Sequence, residues 1–201
     1  VSDLSEGAAR TASAETHRRA DAVRSRSSIL ESAARRLALD PTAGVEQIAA
    51  AAGVTRQTVY AHFGTRDRLI EKTLDDATER MIALFDRAAL EQLPAPEALV
   101  ALVHIAFTSR DPFAQFLFAM GSDPSRAGDR RRHEPVFDRL DIIVRRGQAD
   151  GSLDPSLPAV WIRSATVALA HATAEAVAAR AIPRARAETA LTDGLKRLFR
   201  P

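Results

Sequence analysis

Between Thr55 and Arg66 the chain gathers seven side chains suited to a nucleic-acid surface: Thr55, Arg56, Gln57, Thr58, Tyr60, His62 and Arg66. Arg56 can donate two parallel hydrogen bonds to O6 and N7 of a guanine, and Gln57 can pair with an adenine or rest on a phosphate. Thr55 and Thr58 stand with them at the end that should point into a groove, and the polar tips of Tyr60 and His62 can meet phosphate oxygens, which fix position and carry no sequence code. Arg66 opens a further helix, whose free N–H groups also attract an anion. A purely structural reading makes Tyr60 and His62 core residues with satisfied polar tips. The spacing around them favours phosphate contact.

These residues need a frame that presents them together. Ala49, Gly53 and Val59 stand four and six residues apart. A small residue on one helix admits a second, a glycine makes the turn, and a branched residue ties the second helix to the core. That is the geometry of a helix-turn-helix whose second helix enters a major groove. The expected helices run from about Arg24 to Leu39, Val45 to Ala52, Arg56 to His62 and Arg66 to about Glu91. Asp40-Pro41 ends the first, because the residue before a proline disfavours the helical region. Gly53 closes the second, Thr55 caps the third and Thr65 the fourth. The third helix, at two turns, cannot stand alone in water and relies on Val54, Val59 and Phe63 as anchors.

The rest of the chain reads as helices cut by proline, glycine and acidic turns, over about Glu97–Ser109, Phe113–Met120, Pro135–Arg146, Pro158–Arg180 and Pro183–Phe199, with a polar loop at Gly121–Arg132. Alanine and leucine dominate and alternating apolar runs are scarce, so the expected fold is all-α. The expected division is a disordered tail over 1–22, a helix-turn-helix DNA-binding domain over 23–72 and a helical ligand-binding and dimerisation body over 73–201. Arg18, Arg19, Arg24 and Arg26 give the end of the tail a basic character. It reads either as an arm along DNA or as a solubilising segment.

Charge follows the same division. Residues 10–72 carry eleven basic and seven acidic side chains, whereas residues 73–201 carry seventeen of each; the whole chain is at +2. A basic head on a neutral body suits a module that meets phosphates beside one that does not. There is no cysteine, which excludes disulfides and thiolate chemistry. Five histidines without cysteine and without a close His/carboxylate pattern argue against a metal site, and His133-Glu134 is a lone adjacent pair, not a zinc-binding helix motif. No phosphate loop, activated nucleophile or carboxylate pair points to an enzyme, and no cofactor is expected. No run reaches transmembrane length and the start lacks an apolar signal core, so no membrane partner and a cytoplasmic location are expected.

The segments ILESAARRLAL and VEQIAAAAGVTRQTVYAHFGTRDRLI resemble the TetR family of transcriptional regulators, in order and spacing, over about Arg24 to Leu74. The resemblance implies DNA-backbone contacts for Thr55, Tyr60, His62 and Arg66, the last often a lysine in the family. Members often carry a Gly-aromatic pair before the second helix, where this chain has Leu39-Asp40-Pro41-Thr42-Ala43-Gly44. The resemblance further implies a homodimer that represses its target and is released by a small ligand.

Large apolar side chains in the body suggest where such a ligand sits. Phe107, Phe113, Phe116, Phe118 and Met120 form one group, with Phe137 and Trp161 further along. His104 and His171 each interrupt an apolar helix and can give a cavity a polar point. A packed core with hydrogen-bonded histidines is the alternative. Alanines at 165, 168, 172, 176 and 179, with Leu191, Leu195, Leu198 and Phe199, suit an intermolecular four-helix bundle through the last two helices, or burial within one subunit. The leading expectation is a ligand-responsive repressor, binding double-stranded DNA at a palindromic operator as a homodimer and taking a small apolar or amphipathic effector. The alternative is an activator or a DNA-binding scaffold without a ligand.

Overall fold

Punctuation sets the first elements. α1 (Ser2–Leu39) stops where Asp40 precedes Pro41, and α2 (Val45–Ala52) starts after Gly44, whose N–H donates to Oε1 of Gln47 at 2.9 Å. Gly53 takes the left-handed region at φ 68°, so that Val54 N–H returns to the Ala49 carbonyl at 3.0 Å and α2 is closed. α3 (Arg56–Phe63) follows Thr55, whose Oγ1 accepts from Thr58 N–H at 3.1 Å. The same device opens α4 (Arg66–Arg87): Thr65 Oγ1 accepts from Arg68 N–H at 3.1 Å. The computed structural model describes residues 2–120 and 127–201, and side chains for 17–117, 119 and 134–201.

By its internal contacts the chain divides after Thr73 into two units. The first has a core of Ile29, Leu30, Ala33 and Leu37 from α1, Ile48 and Ala49 from α2, Val59 and Phe63 from α3, and Leu69 and Ile70 from α4. Both α2 and α3 are eight residues long, so this shared apolar core, not their own propensity, keeps them helical. Ser28 Oγ on α1 donates to the Ala52 carbonyl at 3.3 Å and satisfies an end of α2.

One expectation is corrected here. The segment read as a disordered tail is helical from Ser2 and continues into α1. Alanine, arginine and glutamate are strong helix formers. Pairs one turn apart, His17–Asp21 and Arg24–Asp21, link successive turns on its exposed side.

The second unit contains the end of α4, a 3-10 turn at Leu90–Gln92, α5 (Ala95–Thr108), α6 (Pro112–Met120), α7 (Ala127–Ala149), α8 (Ala159–Ala178) and α9 (Arg184–Leu198). α4 ends at Arg87, four residues short of expectation, because Ala89 adopts a left-handed conformation at φ 47°. α7 starts within the expected polar loop, the rest of which lies outside the described residues, and Pro135 falls inside the helix, not in its first turn. Gly147 of α7 is required by close approach: a Cβ there would stand 2.6 Å from Ala95 Cβ and from Leu153. Arg146 donates to the carbonyls of Leu90, Glu91 and Leu93 and so ties the 3-10 turn to α7. Among the described residues there is no β-strand, and no helix is long and apolar enough to cross a membrane.

Candidate nucleic-acid interface and effector cavity

The first turn of α3 is exposed at Thr55, Arg56 and Gln57, while Val59 and Phe63 turn inward. The end expected to meet base edges is therefore open to a partner. Thr55 is committed through Oγ1 to the cap of α3, and the hydroxyl of Thr58 lies 2.9 Å from it. Tyr60 is 36% exposed, so its ring and hydroxyl are at the surface and not in the core. His62 is half-buried and its ring lies 6.1 Å from that of Phe63.

Arg66 has a role that the sequence reading missed. Its Nε donates to the Ala43 carbonyl at 3.1 Å and its Nη2 to the Pro41 carbonyl at 2.9 Å. A planar guanidinium can bridge both carbonyls, and an ammonium cannot reproduce that fork. Arg66 thus fixes the loop that replaces the family's usual Gly-aromatic stretch. Asp40 shapes the same loop: its Oδ1 accepts from Thr42 Oγ1 at 2.6 Å and Thr42 N–H at 2.9 Å, which holds the carboxyl below its ordinary pKa.

Arg56 is not extended into solvent. Its Nη1 donates to Glu46 Oε1 on α2 at 2.9 Å, its Nη2 lies 3.4 Å from the Tyr60 hydroxyl, and its guanidinium stacks 5.3 Å from the Tyr60 ring centroid. The Tyr60 contacts first, and the Glu46 carboxylate after them, raise its pKa further.

In the body, an apolar cavity of about 80 Å³ is bounded by Met81 and Phe85 of α4, Val103 of α5, Phe137 of α7, and Thr166 and His171 of α8. An adjoining cleft of about 880 Å³ is more polar, with Phe107, Arg110, Gln115, Glu175, Arg184 and Glu188 on its walls. Ala106 and His171 border both spaces. Of the nine side chains expected around a ligand, Phe137 and His171 line the apolar cavity and Phe107 lines the cleft.

The others are placed elsewhere. Phe113 and Phe116 are fully buried and border neither space; Arg80 covers the Phe113 ring at 4.1 Å. Trp161 is 43% exposed and packs edge-on against Phe199, with centroids 6.0 Å apart. His104 is exposed and borders a void of about 10 Å³ between α5 and α9. The Met120 and Phe118 side chains lie outside the described residues. Periodicity marks which face of a helix is inward, but it does not separate a filled core from a wall with space behind it.

Comparison with known proteins agrees with this architecture. The family model for bacterial regulatory proteins of the tetR family matches residues 29–73. The HTH-type transcriptional regulator NfxB of Pseudomonas aeruginosa is 29% identical over 112 residues, which span 55% of this chain and 60% of that relative's length. The TetR-like transcriptional regulator LfrR of Mycobacterium smegmatis, solved in complex with proflavine, aligns with a TM-score of 0.68 at 28% identity, over 86% of this chain and 94% of that one. Residues 29–73 are a TetR-family DNA-binding head. The transcriptional regulator FadR of Bacillus subtilis, solved in complex with stearoyl-CoA, shares the fold at a TM-score of 0.65 and 17% identity, over 85% of this chain and 95% of that one. Within this head, Arg66 serves the loop before α2, and Glu46 joins the residues around α3. Neither role has a local signature. Each depends on carbonyls or a carboxylate brought close only by the fold.

Proposed function

We propose that the protein is a transcriptional repressor that binds a palindromic operator as a homodimer and is released by a small effector. The observation that carries the reading is the open first turn of α3, with Arg56 and Gln57 exposed above a helix anchored by Val59 and Phe63. One such helix offers too few contacts for selective binding, and a twofold pair doubles them. Val160 and Trp161 on α8, Leu198 on α9 and the exposed small residues Ala168 and Ala172 suit a face between two copies. The protein acts in the cytoplasm and is not an enzyme.

The effector is amphipathic, with its apolar part entering between Phe85 and Phe137 and its polar part in the cleft beyond His171. α4 carries Met81 and Phe85 at the cavity and Arg66 at the loop before α2, so it is the element through which a guest acts on the head. The guest must favour one of two dimer shapes, because equal affinity for both shifts nothing. The small apolar volume supports a second reading, a DNA-binding regulator with no ligand. The test is selection of bound duplexes from a random pool, followed by sedimentation of the complex and a small-molecule screen for release. A single half-site bound as tightly as a full site by a monomer refutes the dimeric operator. Selective binding with no releasing compound favours the second reading.

A further inference from the structure

We propose that Glu46 is a specificity-determining positioning residue, which withholds Arg56 from phosphates and yields it only to a matching base. This rests on the reading of α3 as the recognition helix. The ion pair joins α2 to α3 at 2.9 Å, and both side chains are open to the solvent side of the head, at 75% exposure for Glu46 and 58% for Arg56.

Direction is the first argument. Helical side chains lean toward their own N-terminus. Arg56 is the first residue of α3, and its guanidinium stacks on the ring of Tyr60, one turn on. The Tyr60 ring leans back to meet it, and the bond to Glu46 draws the guanidinium toward α2, so it is held against the head and not left free at the end that faces base edges. Glu46 on one side and the Tyr60 ring and hydroxyl on the other hold it there.

Charge is the second. A guanidinium paired with a carboxylate presents little net charge to an approaching phosphate, so in a sequence-independent complex Arg56 adds little to counterion release. A guanine offers two acceptors at the right separation and can replace Glu46 and Tyr60 together. A phosphate met at the groove edge competes with Glu46 on nearly equal terms. The pair lowers affinity for all DNA and lowers it most for the wrong DNA. It is a contrast device placed beside the recognition helix.

The experiment measures dissociation constants of the full chain for the selected operator and for a random-sequence duplex, across a series of salt concentrations. The proteins are the unsubstituted chain, Glu46→Gln, Arg56→Ala and the double variant, with circular dichroism and thermal midpoints to verify folding. Glu46→Gln is expected to tighten random-duplex binding roughly three- to ten-fold and to steepen its salt slope by about 0.9, the contribution of one more phosphate contact. Operator affinity changes less, so the operator-to-random ratio falls. In the Arg56→Ala background most of that tightening disappears. Equal tightening with and without Arg56 means simple repulsion between Glu46 and DNA and overturns the proposal. So does weaker operator binding by Glu46→Gln, which would make Glu46 a support for Arg56 in the complex. If the pool yields no preferred sequence, the operator reading fails, while the coupling between Glu46 and Arg56 on the random duplex still decides whether Arg56 is withheld.

Discussion

The head and the body are both helical, but they are held in different ways. In the head, two eight-residue helices rest on a small shared apolar core and have their ends set by single polar contacts: Ser28 to the Ala52 carbonyl, Arg66 to the Pro41 and Ala43 carbonyls, and threonine caps before α3 and α4. In the body, helices of up to 23 residues are held by interdigitated apolar side chains, with polar ties such as Arg146 at the margins. Short helices held at their ends keep one face clear for a partner. Long helices packed side by side leave gaps wherever side chains do not mesh, and a gap lined by Phe85, Phe137 and His171 is one of them. The head makes a surface and the body makes a space.

The largest expected effect tests the packed side of that contrast. Phe116→Ala removes a fully buried ring and should cost about 3–5 kcal/mol of stability, whereas Trp161→Ala, at a partly exposed site, should cost the monomer less than about 1 kcal/mol. Chemical denaturation of both variants decides, and equal losses would mean that Trp161 belongs to the core. Next, Ala106→Trp fills the border between cavity and cleft. It should leave operator binding intact and reduce release by an identified effector at least about ten-fold, one kilocalorie-scale clash per bound guest. A normal response in a folded variant places the effector elsewhere.

Arg66→Ala tests the head. Loss of two charge-assisted hydrogen bonds to carbonyls should destabilise it by about 1–3 kcal/mol and weaken binding to all duplexes alike. Arg66→Lys should not recover the stability, because lysine cannot bridge both oxygens. Full recovery by lysine would assign Arg66 to charge alone. Tyr60→Phe should weaken binding evenly across operator variants, by about 0.5–1.5 kcal/mol for one hydrogen bond. Arg56→Ala should lose about ten-fold at particular base pairs only. Binding to a matched operator panel separates an even loss from a local one, and an even loss for Arg56→Ala refutes its base-reading role.

The smallest effect concerns acid. Asp40 in the head and Asp150 and Asp154 in the body accept hydrogen bonds from Thr42, Ser152 and Ser156 respectively, and each has a pKa below its ordinary value. A folded-state pKa below the unfolded one stabilises the fold above the unfolded value and loses that contribution as pH falls through the folded one. The window is below about pH 4. With two such turns, the body should lose slightly more stability on acidification than the head. Urea titrations at about pH 5 and pH 3, with Asp40→Asn and Asp154→Asn as references, check this. An unchanged pH dependence in both variants removes these turns from the account.

The head was legible in the sequence because its signals are local. Gly53, Thr55 and Thr65 act within four residues, and the structure places helix ends within a residue or two of where they point. The same grammar found the body's helices but missed the helical run before Arg24 and the early end of α4 at Ala89. The cavity was not legible. Phe113 and Phe137 carry the same signal in one dimension, yet one is sealed in the core and the other faces a void. Residues linked across the chain, such as Arg66 with Pro41 or Glu46 with Arg56, were likewise hidden. Only the fold sets their separation.

Thr166 borders the apolar cavity, but its hydroxyl is spent on the Ile162 carbonyl, 2.8 Å away in its own helix. The wall therefore offers water no hydroxyl proton on that side, and so apolar a lining holds water weakly. A guest that enters displaces little ordered solvent. It gains dispersion contacts that the empty wall lacked. Such binding announces itself in a calorimeter as released heat with a negative heat-capacity change, more than as a gain in entropy.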